Sequence, residues 1–388
     1  MRGSLEVADI FRAYGPAYRQ THAMPASHLR ALWAIESCRS AELGGHVDQC
    51  DQCGHLRISY NSCRNRHCPK CQSLDKERWL EARISDTLPI PYFHPVFTLP
   101  EDLRALALPN QEMLYSILFR AVSETIKELT QDPRYLGAEV GFIAVLHTWS
   151  QTLIDHPHLH CIVTGGGLSV DGKHWIPCKE NYFLPVQVLS RLFRGKFLSY
   201  LKEAYEKGRL VFPGKIAHLQ QKNAFTTLLN DLYAQQWVVY CKPPFQNPEM
   251  VMDYLGRYTH RVAISNDRLV NLEHDRVTFR YRDQHNTSKL MSLEAPEFIR
   301  RFLLHVLPDG FIKIRHYGIL SNRNRKKKLA RAKRLLDADH PQQNQPKEPW
   351  QDLLARITGL DPRICPCCGQ GKMVLKEVLD PSAPPLPP

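Results

Sequence analysis

Asp155-His-Pro-His-Leu-His160 runs directly into the apolar stretch Cys-Ile-Val. Residues two apart on a strand face the same side, so His158 and His160 present two imidazoles to one point while Leu159 turns into a core. Such a pair is half of a metal site. Pro157 disfavours a regular strand through His156, which leaves His158 and His160 as the natural pair. A third ligand must be polar and close. Gln151, at the end of the preceding strand, is the candidate, with Asp155 and His156 as rivals. The competing account is a row of structural or purely catalytic histidines that needs no ion.

Tyr254 and Tyr258 stand four apart in a segment, Pro248–Val262, with helical apolar spacing. On a helix they are neighbours on one face. Two tyrosines at this spacing often do no more than cover a core. Here Arg257 and Arg261 flank them, and Gly256 sits between them at a cost of about 1 kcal/mol relative to alanine. A small residue at that position leaves room for a polynucleotide backbone. A phenol, with a pKa near about 10, is a weak nucleophile at neutral pH. A cation that polarises phosphoryl oxygens supplies the missing activation, so the tyrosine and histidine pairs complement each other.

Of twelve cysteines, six fall between Cys38 and Cys71 and three between Cys365 and Cys368. Cys50-Asp-Gln-Cys53 and Cys68-Pro-Lys-Cys71 are two Cys-x-x-Cys clips, and together they can supply four thiolates to one tetrahedral zinc. Cys38, His46, Cys63 and His67 form the candidate set for a second zinc. Arg57, Arg64, Arg66 and Lys70 are interleaved with these ligands, which favours phosphate contact. Cys365-Pro-Cys-Cys368 is half of a site, completed elsewhere or inert. Cys161, Cys178 and Cys241 read as small buried hydrophobes.

The elements that must carry these residues are legible in outline. Strands are expected at Tyr92–Leu99, Val140–Thr148 and His158–Thr164, with a hairpin turn around Gly165-Gly-Gly and Asp171-Gly172. Helices are expected at Met113–Leu129, Val186–Lys207 and Ala224–Gln235. The fold class is therefore α+β. Expected domains are 1–90 (helical and zinc-binding), 91–320 (catalytic) and 321–388 (basic segment, linker and cysteine-containing tail). Net charge is +12. Ten Lys or Arg and no acid lie between Lys313 and Arg334, centred on Arg323, Arg325, Lys326, Lys327 and Lys328, a field suited to polyanions. No apolar run reaches the roughly 18 residues that span a bilayer, and the N-terminus has no secretory pattern. The expected location is the bacterial cytoplasm, on the nucleoid, with no membrane partner.

The His-x-His-x-His row taken alone resembles the histidine-triad nucleotide hydrolases. The ordered set resembles a different family, the two-tyrosine HUH transposases of rolling-circle bacterial insertion sequences. The matching stretches are Tyr60–Gln72, His156–His160 with Gly165–Gly167, and Tyr254–Ser265. This resemblance implies a zinc-binding N-terminal domain with one or two Zn2+, followed by a catalytic domain. The catalytic domain would have a central antiparallel sheet carrying His158 and His160 against a helix carrying Tyr254 and Tyr258. It also implies Mg2+ or Mn2+ at the histidines and single-stranded DNA, element ends and target, as partner. The implied reaction is nicking and joining through 5′-phosphotyrosine. Replication initiators and relaxases share that chemistry, and a non-catalytic zinc-dependent regulator would use only the cysteines and the charge.

Overall fold

The computed structural model describes residues 5–84, 86–179, 182–245, 250–251, 256, 262–283, 285–338 and 348–382; the side chains of 72–75, 82, 84 and 243 are outside that description. The chain gathers into two compact units. One comprises Met1–Trp79, His260–Val306 and Gln342–Pro388; the other comprises Leu80–Thr259 and Leu307–Pro341. The first unit collects three separate stretches of the chain.

In the first unit, helices α1 (Val7–Thr21) and α2 (Ala26–Glu36) precede strands β1 (Gly45–Cys50) and β2 (Leu56–Tyr60). Phe11 of α1 packs edge-to-face on Phe302 of the helix Ala295–Leu303, with ring centroids 5.1 Å apart. β1 pairs with β2 on one side and, on the other, with the C-terminal strand Met373–Leu379. A second three-stranded sheet runs over Leu269–Glu273, Arg276–Arg282 and Ser288–Glu294. Its tight turn, His274-Asp275, has both residues at positive φ, as the twist of a two-residue hairpin demands.

The second unit is built on an antiparallel sheet. Its main strands are β3 (Tyr92–Thr98), β4 (Ala138–Trp149) and β5 (Asp155–Ser169), with Val239–Phe245 beyond β3 and Ile314–Gly318 beyond β4. Alternation splits the side chains between two faces. Phe97, Phe142, Ala144, Leu146, Leu159, Cys161 and Val163 join the core formed with the helices Gln111–Gln131 and Val186–Glu206. In the second of these helices Leu189, Phe193, Phe197 and Leu201 repeat every fourth residue, so one stripe is buried. The opposite face carries His94, Val96, Ile143, Val145, His147, His158, His160 and Ile162. No helix among the described residues is long and apolar enough to cross a membrane.

Two local expectations change. Gly165-Gly-Gly does not turn; it continues β5, and the reversal comes at residues 170–174. A Cβ at Gly165 would stand 2.5 Å from the carbonyl oxygen of Pro91, and one at Gly166 would stand 2.7 Å from that of Ile176. The glycines let neighbouring backbones close in. Pro157 does not stop the strand either. β5 begins at Asp155, the proline carbonyl accepts from the Leu99 amide at 3.0 Å, and a register shift opposite His147–Trp149 absorbs the irregularity.

Candidate active site and thiol clusters

The antiparallel register of β4 and β5 sets His147 directly opposite His158 and Val145 opposite His160. One nitrogen from each of His147, His158 and His160 lies within 4.8 Å of the other two. The Nε2 atoms of His158 and His160 are 3.1 Å apart. The rings of His158 and His160 are held from behind. His158 Nδ1 donates to the backbone carbonyl of His156 at 2.6 Å, and His160 Nδ1 meets Nε2 of the fully buried His94 at 2.9 Å. Burial, with smaller contributions from Lys242 and His158, pushes the His94 imidazole down to about 3. His94 is therefore neutral, and one of the two rings donates to the other across this contact. The carbonyl behind His158 fixes its proton on Nδ1 and leaves its Nε2 lone pair forward, and the same tautomer at His160 would aim that ring's Nε2 at the same point. Three imidazoles converging from two paired strands suit a divalent cation. Two nitrogens at 3.1 Å subtend about 90° at an ion about 2.1 Å from each, which an octahedral ion accommodates.

His147 escaped the sequence reading, although it lies within an expected strand. Its signal is the hairpin itself: once β4 and β5 are neighbours, alternation brings His147 to the face of His158. Gln151 sits half-buried in the turn joining the two strands. The rival Asp155 is absent from the histidine group. Its carboxyl is buried without a hydrogen-bond partner for either oxygen, and desolvation pushes it up to about 7. His156 contributes its carbonyl and leaves its ring exposed.

Tyr254, Tyr258, Arg257 and Arg261 lie outside the described residues. Their segment is represented by Met250, Val251 and Gly256, all helical. Val251 is buried and shares a cleft with Tyr92, Ile143 and Ile162, residues of the histidine-bearing face, and with His316 and Leu320.

The cysteines form two groups of four thiols, and the two clips do not share one. Cys68 and Cys71 join Cys38 and Cys63; Cys50 and Cys53 join Cys365 and Cys368. Sequence proximity had suggested one four-thiol site from both clips, but the ladder pairing β1 with Met373–Leu379 brings the C-terminal half-site to Cys50 instead. In the first group Sγ–Sγ separations are 3.5 Å from Cys71 to both Cys38 and Cys63. Crowding, led by hydrogen bonds from Cys38, holds the Cys71 thiol far below its ordinary range and drives Cys63 and Cys68 far above theirs. Four thiolates at such range require a cation, so these residues fit zinc. Neither histidine belongs to a group: His46 Nε2 lies 3.6 Å from the Asp48 carboxylate, and His67 Nε2 accepts from Arg66 Nε at 3.4 Å.

The cations proposed to meet phosphate divide in two. Arg64, Arg323, Lys326 and Lys327 are exposed. Lys328 donates to both oxygens of Glu139 at 2.7 Å, Arg325 stands 3.6 Å from Asp86, and Lys70 is ion-paired with Glu6. The basic run from Arg325 to Leu335 is helical, with Leu329 and Ala332 buried.

Residues 141–328 match a family described as "Putative transposase", and residues 10–99 match one described as "Transposase zinc-binding domain". The second range contains all of Cys38, Cys63, Cys68 and Cys71. The chain is similar to the "Putative transposase y4qJ" of Sinorhizobium fredii, with 53% identity over 384 residues, covering 98% of this chain and 96% of the relative. It is also similar to the "Transposase for insertion sequence element IS801" of Pseudomonas savastanoi pv. phaseolicola, with 28% identity over 338 residues, 86% of this chain and 80% of the relative. The zinc-binding first unit and the histidine-bearing antiparallel sheet thus belong to a member of the IS91-type, two-tyrosine family of insertion-sequence transposases.

Proposed function

We propose that this transposase nicks and rejoins single-stranded DNA in rolling-circle transposition, with Tyr254 and Tyr258 as nucleophiles and His158, His160 and His147 holding Mg2+ or Mn2+. Gln151 is a further donor from the adjoining turn. The reading rests above all on three imidazoles that converge on one point, two of them, His158 and His160, tied from behind through Nδ1. The burial of Val251 against the same sheet face supports it, because Val251 opens the segment that contains both tyrosines.

In the proposed reaction one phenol oxygen attacks the phosphorus at an element end. The bond to the 3′-oxygen breaks, a 5′-phosphotyrosine forms, and the released 3′-hydroxyl gains a proton. Attack by a 3′-hydroxyl on the phosphotyrosine reverses the exchange and returns the phenol. One phosphodiester is traded for another, so resealing needs no ATP. A second tyrosine allows the other end or the target to be cut while the first remains esterified. When bound, the ion would draw charge from the non-bridging phosphoryl oxygens. His94 and the His156 carbonyl hold the ligand rings in place before DNA arrives. Exposed Arg64, Arg323, Lys326 and Lys327, with Arg257 and Arg261 beside the tyrosines, are the proposed backbone contacts. The working location is the cytoplasm, on the nucleoid.

The test is a denaturing gel of the full-length protein with labelled single-stranded element-end DNA and Mn2+. A covalent adduct is expected. It should disappear in the Tyr254→Phe, Tyr258→Phe double variant and in His158→Ala, His160→Ala, both still folded. DNA binding with no adduct under any metal condition would identify a zinc-dependent regulator instead. An adduct surviving loss of both tyrosines removes the mechanism.

A further inference from the structure

We propose that Cys50, Cys53, Cys365 and Cys368 hold a second zinc ion that fastens the C-terminal segment to the N-terminal zinc-binding domain. Only half of this set lies within residues 10–99; the other half is more than 260 residues further along the chain.

The geometry is that of a tetrathiolate site. Four sulfurs bound at about 2.3 Å to one tetrahedral zinc stand about 3.8 Å from each other. Cys50 and Cys368 are 3.7 Å apart, and Cys53 and Cys365 are 3.6 Å apart. A disulfide would bring two sulfurs to about 2.05 Å. The backbone around each clip is bent to serve thiolates. The amides of Gln52 and Cys53 donate to Cys50 Sγ at 3.4 Å, that of Cys367 to Cys365 Sγ at 3.4 Å, and that of Gly371 to Cys368 Sγ at 3.3 Å. Gly54 and Gly369 follow their clips at φ +72° and +70°, the left-handed turn each knuckle needs. Gly371 is required for another reason: a Cβ there would collide with Cys50 Sγ.

The C-terminal strand also needs an anchor. Met373–Leu379 pairs with β1, yet Val374, Leu375 and Val378 remain 54%, 59% and 67% exposed. A strand that buries so little apolar surface gains little from the hydrophobic effect. A metal bond across the chain ends supplies what packing does not. Cys367 falls outside the four and is exposed. Four thiolates suit zinc or an iron–sulfur cluster, and two knuckles with no open position suit structural zinc.

The experiment uses the full-length protein and does not depend on the tyrosine mechanism. Elemental analysis should find two zinc ions per chain, falling to one in the Cys365→Ser, Cys368→Ser variant and in Gly371→Ala. Maleimide labelling of the zinc-loaded parent, mapped by mass spectrometry, should modify Cys367 first and reach Cys365 and Cys368 only after chelation. That measurement decides the matter if a variant fails to fold. One zinc per chain in the parent, iron in place of zinc, or labelling of Cys365 and Cys368 as fast as Cys367 overturns the proposal.

Discussion

Replacing His94 by leucine removes the imidazole whose Nε2 meets His160 Nδ1 at 2.9 Å, without replacing a proposed ligand. His94 is fully buried, so leucine meets an apolar setting and the sheet should survive. The loss falls on His160, whose Nδ1 gives up this hydrogen bond and whose ring loses one of its constraints. Removing one partner of a buried hydrogen bond costs about 1–3 kcal/mol. At about 1.4 kcal/mol per factor of ten, that is roughly 5- to 150-fold in affinity. Loss of a hydrogen bond behind a ligating histidine typically costs about 10–100-fold, within the same range. His160 is half-buried, so water can replace part of the bond, and the expected weakening of Mn2+ binding is about ten-fold. His94→Gln restores a hydrogen-bonding group near the position of Nε2, able to donate or accept, and should recover most of it. Calorimetric titration of the zinc-loaded protein with Mn2+ measures the change, since Mn2+ competes poorly for thiolates. Thermal melting checks the fold. If folded His94→Leu binds Mn2+ as tightly as the parent, while His158→Ala does not bind it, the positioning role is wrong.

Two further outcomes follow from charge. Replacing Arg323, Lys326 and Lys327 by glutamine should weaken single-stranded DNA binding. It should also flatten the slope of log K against log salt by up to about 2, at about 0.7 per lost phosphate contact. Lys328→Gln should leave that slope nearly unchanged and lower the melting temperature, because it strands Glu139; equal slopes in all the variants would refute this division. His316 is pushed down to about 4 by burial, then by Arg83 and Arg325. The unfolded chain takes up a proton near pH 6.5 that the folded chain refuses. Stability associated with His316 is therefore intact above about pH 6.5 and falls as pH drops towards about 4. His316→Leu should lose less melting temperature than the parent between pH 7 and 5, and parallel losses would contradict the burial effect.

Where periodicity reports on one element, the sequence was a good guide. Tyr92–Thr98, Ala138–Trp149 and Val186–Glu206 lie within a few residues of their expected places, because alternation and the 3.6-residue repeat are local properties of a chain with one buried face. Glycine misled. Gly165-Gly-Gly looks like a turn in sequence and is a strand in the fold, since the same absence of Cβ serves close backbone approach. Lys328, Arg325 and Lys70 show a third case. Their types predict phosphate binding, and only the surrounding carboxylates reveal that their charge is already engaged.

By itself the sequence determined which residues are fit for chemistry: the imidazoles of His158 and His160, the thiols in their clips, and the family motifs in order. Their types and spacings are written into the chain. Tertiary structure alone decided which of them meet. His147 reaches His158 through an antiparallel register, and Cys50 and Cys53 leave the nearer clip for Cys365 and Cys368 through a ladder between residues more than 300 positions apart. A metal site needs several donors at one point in space. Local spacing can specify two of them, but the rest depend on which strands pair.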